Sequence, residues 1–226
     1  MIYLTGDTHC PFDVEKLEID SFPEQEQMTK QDYLIILGDA GIIWSDYRNR
    51  DEQWIRYFTE KNFTTLFIDG NHENHTKLNA YPVSVWNGGK VHQISDSVYH
   101  LMRGQIFHFC GLSFFTMGGA KSIFSDIAIE GRGWWQAEMP NQAEYEEAFM
   151  NLMKSGWKVD YVFTHAAPSS LAEQISTNYK PNRLYEFLER IDKQLQYQHW
   201  YFGHYHIDKA VDEKHTCLFS SFLRLL

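Results

Sequence analysis

Short apolar runs recur along the chain, and each stops at a polar cluster. IYLT precedes Gly6, YLIIL precedes Gly38, TLFI precedes Asp69, YVF precedes Thr164 and WYF precedes Gly203. Runs apolar at nearly every residue predict strands buried on both faces and covered by helices. Helical periodicity lies between them. Asn182 is placed to cap a helix whose stripe is Leu184, Phe187, Leu188, Ile191 and Leu195. A second helix runs from Asn141 through Ala148, Phe149, Leu152 and Met153 to a stop at Gly156, and a weaker third covers Asp51 to Lys61. From Val91 to Thr116 the runs VHQI, SVYHLM, QIFHFC and LSFFTM are closely spaced, with turns at Asp96, Gly104 and Gly111, and predict an antiparallel meander. Ser122 to Pro140 has no period and reads as a long loop on the substrate side. Periodicity alone therefore supports a mixed α/β fold.

Composition narrows this picture. A chain of 226 residues, 43% hydrophobic and 16% aromatic, can bury one large core, and it is read as a single domain over 1–226 with 91–140 as the meander and loop. There is no apolar run of roughly 18 residues and MIYLTGD has neither region of a signal peptide, so the expected location is the cytoplasm, away from any membrane. Cys10, Cys110 and Cys217 lack C-x-x-C spacing, which argues against a disulfide framework or a thiolate zinc site; Cys110, in FHFC, reads as a core residue. The net charge of −10 disfavours long nucleic acid without excluding it, and leaves room for one basic pocket that holds a phosphate.

The candidate chemistry follows the strands. Their ends carry GDTH (Asp7, His9), GDA (Asp39), GNHE (Asn71, His72), THAAP (His165) and GHYH (His204, His206). In open α/β sheets the functional crevice lies beyond the carboxyl ends of the strands, so five strands can aim these groups at one place. A single histidine in such a position is more often structural; convergence of this many is not explained that way. Carboxylate, amide and imidazole donors form a mixed N/O set suited to divalent Mn, Fe or Zn, with no thiolate to favour structural zinc. The donors are too many for one ion, and two cations roughly 3.5–4 Å apart would use them all.

The ordered series D-x-H, G-D, G-N-H-E, H and G-H-x-H, from Asp7 to His206, resembles the calcineurin-like metallophosphoesterase family. The resemblance implies a four-layer αββα sandwich of two mixed β-sheets flanked by helices. It also implies that Asp7, His9 and His206 hold a first metal, that Asn71, His165 and His204 hold a second, and that Asp39 bridges them. His72 would be the proton donor or phosphate contact. Two divalent ions, Mn²⁺ first and Fe or Zn as alternatives, would bring four positive charges against only Asp7 and Asp39. The surplus would deprotonate a bridging water and attract a phosphate anion. That hydroxide would attack phosphorus in line while His72 protonates the leaving oxygen.

One block departs from the protein-phosphatase branch of this family. Its G-D-x-x-D-R is GDAGII here, with Ile42 and Ile43 in the places of the Asp that orients the catalytic His and the Arg that forks onto phosphate. Asp46 is a candidate substitute for the first, and Arg132, Lys121 and Arg183 for the second. GGAKS lacks the spacing of a nucleotide P-loop and reads as a turn. His75, His92, His100, His108, His199 and His215 are read as structural or exposed, and Trp134 and Trp135 as covering a core edge rather than stacking on a base or sugar. The expected activity is hydrolysis of a phosphomonoester on a small molecule or phosphoprotein. A phosphodiesterase or nuclease on the same metals is the alternative, and a non-catalytic scaffold ranks third.

Overall fold

The structure is a computed structural model that describes residues 1–44, 48–122 and 129–226. Its first sheet is built on β1 (Ile2–Thr5), β2 (Tyr33–Ile36), β3 (Thr64–Phe67) and β6 (Val98–Leu101), which lie side by side in parallel. Beyond β6 this sheet continues antiparallel through β5 (Gly89–Ser95) and β4 (Val83–Trp86), and beyond β1 it is closed by β13 (Leu223–Arg224). The second sheet runs in the order β11 (Lys209–Ala210), β12 (His215–Cys217), β10 (His199–Phe202), β9 (Tyr161–Thr164), β8 (Leu112–Met117), β7 (Gln105–Phe109). Its inner four strands are parallel and both edge strands antiparallel. Both sheets are mixed.

Strand alternation decides the layers. Ile2, Leu4, Ile35, Leu66 and Val91 of the first sheet meet Phe107, Phe114, Phe163 and Tyr201 of the second in one apolar cluster. The intervening residues Tyr3, Leu34, Ile36 and Phe67 face outward and pack under Phe58 of α1 (Arg48–Glu60) and the N-terminal segment carrying Leu17 and Phe22. On the far side Phe115, Val162, Trp200 and Phe202 are covered by α3 (Gln142–Lys154), α4 (Ser169–Ile175) and α5 (Arg183–Gln194), and a one-turn helix α2 (His75–Leu78) lies near the sheet rim. Period 2 in the strands puts a core on each face of each sheet, so the chain forms the expected αββα sandwich.

The helices match their sequence signals closely. Asn182 caps α5 by accepting from the Tyr185 amide, and Asn141 and Glu144 form a reciprocal capping box on α3. Only one of the expected stripes shifts: Tyr145, Ala148 and Leu152 are the buried face of α3, leaving Phe149 and Met153 exposed. The segment read as one meander is instead two hairpins in different sheets. β5 pairs with β6, and β7 with β8, while the chain crosses between sheets at Met102 to Gly104. Gly104 makes this crossing with φ of +70° directly against Ala148 of α3, where a Cβ would lie 2.8 Å from the Ala148 Cα. Cys110 sits in the turn between β7 and β8 with φ of +53° and is exposed, so it is no core residue. Among the described residues no helix is long and apolar enough to cross a membrane.

Candidate metal centre

Strands β1, β2 and β3 of one sheet and β9 and β10 of the other end at a common rim, and the five polar blocks sit there. Asp39 O accepts from the Thr8 and His9 amides at 3.1 and 2.9 Å, and His165 O accepts from the Gly203 amide at 3.2 Å, so adjacent strand ends are tied together. Glycines allow the close approach: a Cβ on Gly70 would lie 2.1 Å from Asp39 Oδ1, and one on Gly203 would lie 2.4 Å from Asp7 Oδ1. His9, Asp39, His204 and His206 all adopt left-handed backbone, with φ of 34°, 48°, 72° and 51°. Such conformations are costly outside glycine and concentrate where the surrounding fold over-determines a functional geometry.

Three groups of donors result, each with its ligand atoms within 4.8 Å of one another: Asp7, His9 and His206; Asp39, His165 and His204; and His9, Asp39 and His72. His206 Nε2 lies 3.2 Å from Asp7 Oδ2, His9 Nε2 lies 3.2 Å from Asp39 Oδ2, and His165 Nε2 lies 3.3 Å from the same Asp39 oxygen. Asp39 belongs to the last two groups and His9 to the first and third, so the three form one connected cluster. Asp7 Oδ2, Asn71 Oδ1 and His165 Nε2 are buried without a hydrogen-bond partner, although the first and last have those neighbours at ion-pair distance. A carboxylate oxygen, an amide oxygen and an imidazole nitrogen left unpaired in one place is expensive unless a cation completes them. The residues present fit divalent metal.

Two of the histidines are oriented by hydrogen bonds at Nδ1. His165 Nδ1 lies 2.7 Å from Leu37 O, which makes Nδ1 the protonated nitrogen and turns Nε2 into the donor. His9 Nδ1 is likewise 2.8 Å from Asp13 Oδ2, with Nε2 facing the cluster. Asn71 Nδ2 donates to Ser122 Oγ at 3.4 Å, which sets the amide so that Oδ1 is the free acceptor. Burial penalises every charge here, yet mutual pairing wins: the neighbouring His165 charge and the hydrogen bond with His9 hold the Asp39 carboxyl well below the usual range. Burial is also outweighed at His9, pushed up to about 9 mainly by its hydrogen bond to Asp39, and at His165, pushed up to about 10 by the Asp39 and Asp7 charges. His204 goes the other way, down to about 4, through burial and the neighbouring His165. Without metal, protons on His9 and His165 balance the two carboxylates; cations entering the site displace them.

Supporting residues appear that sequence reasoning left unassigned. Glu73, fully buried, accepts from the Ala40 amide at 2.7 Å, the Gly41 amide at 3.5 Å and the Gly70 amide at 2.6 Å, clamping the loops of Asp39 and Asn71 together. Burial and the nearby Asp39 and Asp69 charges push its carboxyl up to about 8. Lys16 Nζ donates to Gly6 O at 3.1 Å, Asp7 O at 2.8 Å and Phe219 O, and Phe219 in turn stacks on His206 with centroids 4.6 Å apart. Arg103 forks onto Asp69 Oδ2 with Nε at 2.8 Å and Nη2 at 2.5 Å, and also donates to the backbone of Ala137 and Glu138. Glu73 was visible as the last letter of GNHE. Lys16 and Arg103 carried no local signal, because their partners are backbone carbonyls or residues more than 30 positions away.

The expected substrate contacts fare unevenly. His72 donates its backbone amide to Asp39 Oδ1 at 2.6 Å, and its ring lies 5.1 Å from His9 and 5.5 Å from Trp44. Lys121 is exposed beside Ser122 and acts electrostatically on Glu138; Arg132 is exposed in a turn with its amide on Ile129 O at 3.0 Å. Arg183 instead lies over the Tyr145 ring at 4.6 Å and bonds Gln142 Oε1, both on α3, so its described contacts are structural. Asp46 lies outside the described residues. Trp135 is buried and Trp134 half-buried, consistent with a covered core edge.

The profile of the calcineurin-like phosphoesterases matches residues 1–208, and the chain belongs to that family, whose class chemistry is metal-dependent hydrolysis of phosphoric esters. Among solved structures, one designated a 5'-nucleotidase from Staphylococcus aureus in complex with alpha-ketoglutarate is similar at 16% identity and a TM-score of 0.49. The similarity covers 96% of this chain and 47% of that one, so the chain spans about half the length of that protein. No curated protein matches.

Proposed function

We propose that the chain hydrolyses a phosphate ester at a dinuclear metal centre, with a phosphomonoester as the favoured substrate. The observation that carries the reading is the connected cluster: His9 and Asp39 link three donor groups at a rim where three donor atoms lack hydrogen-bond partners. Asp7, His9 and His206 would hold one divalent ion, Asn71, His165 and His204 the other, and Asp39 both. Such a pair supplies Lewis acidity toward phosphoryl oxygens and lowers the pKa of water at neutral pH. The N/O donor set suits Mn²⁺, with Fe or Zn as competitors.

The protein's own groups do the rest. His165 and His9 are kept in the donor tautomer by Leu37 O and Asp13, Glu73 keeps the loops of Asp39 and Asn71 in register, and His72 delivers the proton to the leaving oxygen. His72 owes its place to its backbone bond with Asp39 Oδ1. The net charge of −10 opposes a long polyanion more than a small phosphate, which favours a small molecule or a phosphorylated side chain over nucleic acid.

The test is metal analysis of the purified protein, followed by assay of the metal-loaded enzyme on matched aryl phosphate monoester and diester. Two equivalents of metal and preferential turnover of the monoester support the proposal. Preference for the diester would reverse the substrate order, and absence of both metal uptake and turnover would remove the hydrolase reading.

A further inference from the structure

If His72 protonates the leaving oxygen, as the proposed function requires, the leaving group must lie against whatever adjoins His72. One of its two described ring neighbours, His9, belongs to the donor cluster; the other is Trp44, with centroids 5.5 Å apart and planes at 41°. Trp44 follows Ile42 and Ile43, the residues that replace the Asp and Arg of the protein-phosphatase branch. Both isoleucines are buried, so this segment offers the substrate an indole where that branch offers a charge.

The indole is fixed in place. The backbone amide of Trp44 donates to Asp51 Oδ1 at 3.2 Å, and the preceding carbonyl of Ile43 accepts from the Asn74 amide at 2.8 Å, which couples the Trp44 backbone to the loop carrying His72. Trp135, only 5% exposed, meets the Trp44 ring edge-on at 5.3 Å and 73°. Trp44 itself stays half-exposed. A braced, partly uncovered indole beside a proton donor is a preformed stacking surface, which binds a planar group with little loss of conformational entropy.

We propose that Trp44 is a specificity-determining residue, and that the leaving alcohol of the natural substrate carries a planar aromatic ring, aryl or nucleobase, which stacks on its indole. Two matched pairs test this on the metal-loaded enzyme: benzyl phosphate against cyclohexylmethyl phosphate, and a nucleoside 5'-monophosphate against ribose 5-phosphate. Within each pair the leaving oxygens make closely similar demands on His72. Each compound is assayed as the monoester and as its methyl diester, so the outcome does not depend on which class is hydrolysed.

The expected result is that kcat/KM favours the ring-bearing member of at least one pair by about tenfold, that Trp44→Leu brings the ratio down to near one, and that Trp44→Phe retains most of it. Equal losses on both members of each pair would show that Trp44 only positions His72 and would overturn the inference, as would a wild-type ratio near one. Either result leaves the hydrolase reading standing. Turnover of none of these esters would instead sink both.

Discussion

At the sheet rim, and again at the start of β12, this chain packs histidine against aspartate in a largely buried setting, and the two clusters differ in how their polar atoms are paired. Around His215 every polar atom is satisfied. Nδ1 lies 2.8 and 2.9 Å from the two oxygens of Asp212, and Nε2 lies 3.2 Å from Asp192 and 2.9 Å from the Tyr197 hydroxyl, which itself bonds Asp192. At the rim the same residue types leave Asp7 Oδ2, Asn71 Oδ1 and His165 Nε2 without partners. Backbone conformation separates them as well. Four residues of the rim cluster sit at positive φ, whereas His215 continues a regular strand. The difference teaches that residue type does not distinguish a structural histidine from a candidate ligand; convergence of several donor atoms at one rim, some of them left unpaired, does.

The sharpest way to break the contrast is Asp39→Asn, which removes the shared carboxylate. It should lower kcat/KM by on the order of 10³-fold or more and reduce bound metal, seen by kinetics together with elemental analysis. His72→Ala should cost about 10²-fold in kcat while metal content holds, because it removes a proton donor and not a ligand; loss of metal in this variant would contradict its assignment. Glu73→Gln should weaken metal affinity by about tenfold, read by competition with a chelating dye, since one carboxyl oxygen that accepts from a backbone amide is replaced by an NH2 group that can only donate.

The smallest effect belongs to the closed cluster. His215→Gln should leave metal content and kcat/KM as they are and reduce stability by about 1–2 kcal/mol in denaturant unfolding. Burial lowers the His215 pKa, but Asp192 and Asp212 outweigh it and raise the group above its ordinary 6.5. A raised folded pKa makes the stabilisation complete below about pH 6.5 and removes it as pH climbs through the folded value, so the wild-type advantage over His215→Gln should shrink toward alkaline pH. An advantage that grows with pH would show the sign to be wrong.

Much of this was legible in the chain itself. The strand before each site block was marked by a continuous apolar run, and IYLT is β1 residue for residue. The caps Asn141 and Asn182 were legible because capping is a local contest between one side chain and the amides of the next turn. Arg183 was ambiguous in the sequence because a basic residue at a helix start looks the same whether it meets a phosphate or packs, as its described contacts do, on the ring of Tyr145. The hairpins of residues 89–117 were found as strands but assigned to one sheet, since period 2 reports burial without saying which sheet a strand joins. Cys110 was misplaced for a related reason: the apolar run FHFC did not reveal that its last residue had already entered the turn.

By itself the sequence determined which side chains stand at the strand ends, and hence the donor types and a mixed α/β class, because these depend on local periodicity and on glycine beside a polar residue; the αββα layering came from the ordered motif series and its family resemblance. Tertiary structure decided which of those donors go unpaired, that Glu73 clamps two loops 30 residues apart, and that Trp44 rather than Trp135 is the indole left open beside His72. Pairing and exposure are properties of the space between distant segments, and only the packed chain defines that space.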